Sequence, residues 1–329
     1  MASRKTVYLD MKFWISLRNP DESRNPIEAR HLLNLLRTGV REQRLLCPIS
    51  YAVFLELMKQ NPLGKRLAQA QIMDELSGGI GIRNPYDIAE QEFLRFFAKH
   101  TSDFKRVPID PIWTPVGYMI VEAYPQCDLL PQDFMELSRK VMFDIMWATR
   151  MEHIATKMDS CPRSPKTTAA KINSERQTHQ RGGRPFEKLF ADELHGILDE
   201  MPSEMDNCFR QAAAFAGIET AGQQMNEGDR RVCVNLIRKV VTKGLDNTAI
   251  PSQRITAALH AALRLDDKYA FKENDLDDIR HSAVAAAYCN AFLTERFFAD
   301  KLRLPAVRKV IPCECKVIDD FDEAISFLS

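Results

Sequence analysis

The run Thr6-Val7-Tyr8-Leu9-Asp10 is apolar and β-prone, and it ends on a carboxylate; Trp14-Ile15-Ser16-Leu17 after it begins a short helix. A strand that delivers an acid at its C-terminal end is the first signal in the chain. An amphipathic run from Ile27 to Leu36 follows, with Thr38-Gly39 as its expected stop. Arg44 to Ile49 reads as a second buried strand, and Ser50 as the N-cap of a helix that carries Glu56. Strand, helix, strand, helix implies a parallel sheet. A further helix is predicted from Leu63 to Leu76, and Ser77-Gly78-Gly79-Ile80-Gly81 breaks it without the context of a dinucleotide-binding turn.

From 85 to 263 the apolar spacing is mostly helical, as in Phe93, Phe96 and Phe97, in Phe134, Leu137, Val141 and Ile145, and in Val232 to Val241. Beyond it, an acidic run at 273–278 leads an Ala-rich helix to Tyr288. Strands are predicted at Ala291–Thr294, Ala306–Ile311 and Cys315–Ile318, and a closing helix from Phe321 to Leu328. The predicted fold class is therefore α/β, with a discontinuous core (1–84 and 264–329) interrupted by a helical insertion (85–263).

Composition narrows the function classes. The 329 residues carry 45 Lys+Arg against 45 Asp+Glu, with 45% apolar content, so the chain is expected to fold around real cores and has no global field for a nucleic acid. No apolar stretch nears the roughly 20 residues of a membrane span; with no signal-peptide-like start, a cytoplasmic location is expected. The eight cysteines show no C-x-x-C pair and read as reduced thiols; Cys313 and Cys315 would point to opposite faces of a strand. Basic charge is concentrated in 161–188, where Arg163, Lys166, Lys171, Arg176, Arg181 and Arg184 stand against few acids in a segment expected to be exposed and mobile. Phosphate contact is the role expected of it.

The chemistry lies with the acids of the two flanks. Asp10 at a strand end, Glu56 on the helix after the second strand and Asp278 on the helix before a later strand can converge at the C-terminal edge of a parallel sheet, where ligands bind. Such a group is a hard oxygen site suited to Mg²⁺ or Mn²⁺. Asp275 shares a helix face with Asp278 and His281, so it is a further candidate ligand, with His281 in a supporting position. Asp275 and Asp277 equally suit a helix start, where acids complement the macrodipole.

Tyr8-Leu9-Asp10-x-x-x-Trp14-Ile15, Ser50 followed by Glu56, and Asp278 followed sixteen residues later by Thr294 resemble the ordered acidic motifs of PIN domains. The resemblance covers the two flanks. It implies a Rossmann-like sheet and metal-dependent cleavage of RNA, or less often DNA, with Asp10, Glu56 and Asp278 as the acids. The sequence departs from the pattern at Lys12, where many PIN domains carry Asn or Ser, and at Thr294-Glu295-Arg296 in place of Thr-x-Asp. Glu295 is then the candidate substitute ligand, Thr294 a hydroxyl for orienting water or metal, and Lys12 either a phosphate contact or a partner for an acid. The alternative is a non-catalytic PIN-like scaffold whose helical section binds protein or nucleic acid, and a homodimer is a further expected partnership. A third reading, a metal-independent ribonuclease, rests on Arg254 and His260. No P-loop, H-E-x-x-H or G-x-S-x-G motif is present.

Overall fold

The computed structural model describes residues 4–102, 104–120, 131–158, 168–179, 184–217, 225–266, 268–311 and 314–329. The chain is mostly helical around a small parallel sheet. Its first part runs β1 (Lys5–Leu9), α1 (Met11–Arg18), α2 (Pro26–Arg41), β2 (Leu45–Leu46), α3 (Tyr51–Met58), α4 (Leu63–Ser77), β3 (Ile80–Ile82), α5 (Pro85–His100) and β4 (Trp113–Pro115). The middle is helical: α6 (Val116–Ile120), α7 (Gln132–Ala148), α8 (Met151–Lys157), α9 (Thr168–His179), α10 (Phe186–Asp199), α11 (Pro202–Phe215), α12 (Glu227–Thr242) and α13 (Pro251–Arg264). It closes with α14 (Glu273–Tyr288), β5 (Ala291–Leu293), α15 (Arg296–Arg303), α16 (Pro305–Val310), β6 (Lys316–Ile318) and α17 (Phe321–Leu328).

The four parallel strands lie in the order β2-β1-β5-β6. From β1 the chain goes to one side through α2 and later returns on the other side as β5, so the connection direction reverses between β1 and β5. That reversal opens a crevice at the strand C-termini. Strand β1 is buried along Thr6–Leu9, as an apolar strand covered on both faces must be, and Tyr8, Phe13, Trp14 and Phe292 are fully enclosed near it. The buried cluster continues from the sheet through α5, α10 and α13, which joins the helical section to the flanks.

Several expectations are revised. Helix α2 does not stop at Thr38-Gly39 but runs to Arg41, because Gly39 is the contact point for Leu45; a Cβ there would overlap that side chain. The expected strand at Arg44–Ile49 is reduced to Leu45–Leu46, with Ile49 bridging Gly81 instead. Residues 306–310 are helical, not extended, and only Ile311 keeps extended backbone: Pro305 at the first position of α16 pre-sets its φ, and local β-propensity yields to it. The glycine break ends α4 with Gly78 in the left-handed region (φ +58°) and leads into β3, which forms an antiparallel pair with β4 that the hydrophobic pattern does not predict. Within the basic segment, α9 is an ordered helix, tied to the start of α14 by reciprocal bonds between Asn173 and the Phe271 backbone, both 2.9 Å. Buried Ala169 and half-buried Ile172 give it an apolar footing.

Candidate functional site

The site grows from the β1–β5 seam. Asp10 follows β1 as the N-cap of α1, its Oδ1 accepting from Met11 N at 2.5 Å. The hydroxyl of Thr294, the residue after β5, donates to Asp10 Oδ2 at 2.9 Å, and Asp10 N bonds Leu293 O at 2.9 Å. Both side chains are buried, so both carboxylate oxygens have fixed directions. Ser50 caps α3 through Val53 N, as expected, and one and a half turns later Glu56 reaches the same crevice.

His281 of α14 is fully buried and binds Glu56 Oε2 through Nε2 at 3.2 Å, while its Nδ1 lies 2.6 Å from Tyr8 Oη. The Tyr8 hydroxyl in turn contacts Ser50 Oγ at 2.5 Å. Burial opposes charge on His281, but the Glu56 hydrogen bond and the charges of Asp10, Glu56 and Asp278 outweigh it and raise its pKa. Burial drives the Tyr8 phenol well above its usual range, so it keeps its proton. With the imidazole protonated, Nε2 donates to Glu56, Nδ1 to Tyr8, and Tyr8 to Ser50. This chain fixes Glu56 from behind.

Asp10, Glu56 and His281 each present a ligand atom within 4.8 Å of the others, one of two such groups among the described residues. Asp278 adjoins them. Burial first, then the charge of Asp10, raises its pKa from 3.8 to about 8, with Glu56 and Glu295 adding to the rise and His281 opposing it. Glu295 itself is exposed at the start of α15. A carboxylate held this far up lies in a field that favours an added positive charge, whether a proton or a cation.

Asp275 is not brought into the group. Its Oδ1 accepts from Tyr269 Oη (2.8 Å) and its Oδ2 from Lys272 N (2.7 Å), the return bond of a capping box whose N-cap is Lys272. Asp277 is ion-paired to Lys59 (2.6 Å) and Arg280 (3.0 Å). Lys12 pairs with neither Asp10 nor Glu56; its ammonium sits over the Phe13 ring and donates to Asp319 O at 3.3 Å. The second acidic group, Asp319, Asp320 and Glu323, has internal compensation: Arg303 binds Asp319, Lys316 binds Glu323, and Asp320 caps α17.

Of the basic candidates, Arg163, Lys166 and Arg181 lie outside the described residues, as does the side chain of Arg176. Lys171 is exposed on α9, and exposed Arg184 lies 3.5 Å from Asp192. Cys127, Cys161 and Cys313 lie outside the described residues, and Cys47, Cys208, Cys233 and Cys289 are free thiols. Motif spacing alone does not reveal the Tyr8–Ser50 leg of the relay or the closeness of His281 to Glu56. One signal for the former is present: a tyrosine inside an otherwise apolar strand needs a polar partner for its hydroxyl.

Arg254 and His260 do not form a site. The Arg254 guanidinium braces Val310 O and Asp246 O, while His260 stacks on Phe271 at 5.5 Å, and burial lowers its pKa to about 4. Arg254→Ala strips a buried carbonyl (Asp246) and a half-buried one (Val310) of their donor, and urea unfolding is expected to show a loss of about 2–4 kcal/mol. A variant as stable as the wild type would mean that the guanidinium is not a brace.

No protein-family model, no curated protein and no solved structure matches this chain.

Proposed function

We infer that the chain is a metal-dependent nuclease with a PIN-like core that hydrolyses phosphodiester bonds, RNA being the expected polymer from the motif resemblance. The observation that carries this reading is the meeting of buried Asp10 and His281 with half-buried Glu56 at the direction reversal of the parallel sheet, with Asp278 beside them. The donor set fits Mg²⁺ or Mn²⁺: hard carboxylate oxygens from three separate elements, with Thr294 and His281 fixing two of them. Asp10, Glu56 and Asp278 would hold the ion, with Glu295 at the rim. A bound ion would supply charge neutralisation at the phosphodiester and acidify water there.

The chain's own groups have distinct parts in this scheme. Thr294 directs Asp10, and His281 keeps a proton on Nε2 and so orients Glu56 toward the crevice. Asp278, mostly protonated at neutral pH without the ion, can release or take up a proton at its carboxylate. The test is cleavage of end-labelled single-stranded RNA and DNA with Mn²⁺, Mg²⁺ or EDTA, together with Mn²⁺ calorimetry. RNA cleavage that disappears in EDTA is expected. Undiminished cleavage in EDTA, or no Mn²⁺ uptake and no cleavage, would end this reading and leave the scaffold alternative.

A further inference from the structure

Helix α7 is inverted relative to an ordinary surface helix. Its body-facing side is Met135, Ser138, Met142 and Met146, held at the C-terminal turn by the close approach of Met146 to Gly117. Its outward side carries an apolar stripe: Phe134, Leu137, Val141 and Ile145 are each 48% to 57% exposed, while Phe143 and Trp147, comparably open, lie on the opposite flank and stack on each other. None of its residues is buried. The four side chains of the stripe, each about half open, leave roughly 300–400 Å² of contiguous apolar surface, a patch of the size that is often functional on soluble proteins.

The spacing of the stripe shows what can cover it. Phe134, Leu137, Val141, Ile145 and Ala148 are separated by 3, 4, 4 and 3 residues, a pattern that reads the same in both directions about Val141. An antiparallel copy of the same helix therefore matches it residue for residue: Val141 meets itself on a two-fold axis, Leu137 meets the partner's Ile145, and Phe134 meets the partner's Ala148. The charges obey the same symmetry. Lys140 and Asp144 flank the stripe on one rim, so the two-fold sets Lys140 of one copy beside the partner's Asp144, twice per pair. Opposed helix dipoles add to the match. Both stripes together would cover roughly 600–800 Å² of apolar surface, the core of a small interface whose polar rim the paired charges supply.

We propose that α7 is a homodimerisation helix, pairing antiparallel with α7 of a second copy about Val141. It lies apart from the acid cluster and does not depend on the function assigned there.

Sedimentation equilibrium of the full chain tests this. The expected mass is twice 37.7 kDa at tens of micromolar, and Val141→Arg halves it without changing the circular dichroism spectrum, because the side chain is exposed. Lys140→Glu should weaken the dimer at least tenfold, and Lys140→Glu combined with Asp144→Lys should restore it. Val141→Cys should cross-link to itself under mild oxidation, above the wild-type background. A wild type that stays monomeric would overturn the proposal. So would a dimer indifferent to Val141→Arg, or a monomer that floats with phosphatidylcholine–phosphatidylserine vesicles through α7.

Discussion

Asp10→Asn is expected to lower phosphodiester cleavage by roughly 10³-fold, while the variant folds as the wild type does. The loss follows from removing one of the buried carboxylates that would hold the ion, because charge stabilisation of several kcal/mol at the reacting phosphate corresponds to that factor. The fold survives because Asn keeps an Oδ1 that can accept from Met11 N. Its amide then faces Thr294, whose hydroxyl turns from donor to acceptor. Gel cleavage assays and calorimetric Mn²⁺ titration on the same preparation read the two effects together. A folded Asp10→Asn variant that cleaves at the wild-type rate would remove the acid cluster from the chemistry.

Asp278→Asn is expected to make the protein more stable at alkaline pH. The folded protein holds this carboxyl at about 8, against 3.8 for a free one. A carboxyl raised on folding contributes stability that is complete below its unfolded value and is lost as pH climbs to the folded one. The wild type therefore loses stability between about pH 4 and pH 8, and an amide at 278 does not. Each tenfold rise in proton affinity on folding is worth about 1.4 kcal/mol, and solvent screening of this half-covered group brings the expected gain down to about 1–3 kcal/mol at pH 9. Thermal melts in EDTA should show no difference between the proteins at about pH 4 and a higher melting temperature for the variant at about pH 9. Mn²⁺ should shrink or reverse the gap, since an ion bound to the folded wild type stabilises it by mass action. Equal melting temperatures across the whole range in EDTA would show that Asp278 is not under electrostatic stress.

This stress is only partly legible in the residues. Asp10 at the end of an apolar strand, Ser50 as a cap and the apolar context of Glu56 are readable because strand ends and caps are local events. The spacing of His281 to Asp278 gives it a supporting place, and its bond to Glu56 fits that, but nothing local could put it 3.2 Å from a residue on α3. Asp275 and Asp278 share a face, yet one closes a capping box and the other joined the crevice. What separates them is local capture of Asp275 by the Tyr269 hydroxyl and Lys272 N, neither of which reaches Asp278. The segments that depart from their local pattern have a common cause. Gly39 looks like a stop because close approach of Leu45 is invisible along the chain, and 306–311 looks extended because Val and Ile there answer to Pro305 and to packing. The short β3–β4 pair joins segments far apart in sequence and carries too few residues to leave a periodic trace.

The seam between β1 and β5 also sets a schedule. Thr294 and Asp10 are 284 positions apart, and β1 pairs with β5 directly. During synthesis β1 emerges long before β5, and one of its edges has no partner until the chain has been made as far as Ala291. The protein is thus expected to assemble its sheet late, with the nascent chain relying on its helices to shield that edge. A chain arrested before α14 would contain Asp10 and Glu56 but neither Asp278 nor His281, so it would carry half of the crevice and only the Tyr8–Ser50 leg of the relay.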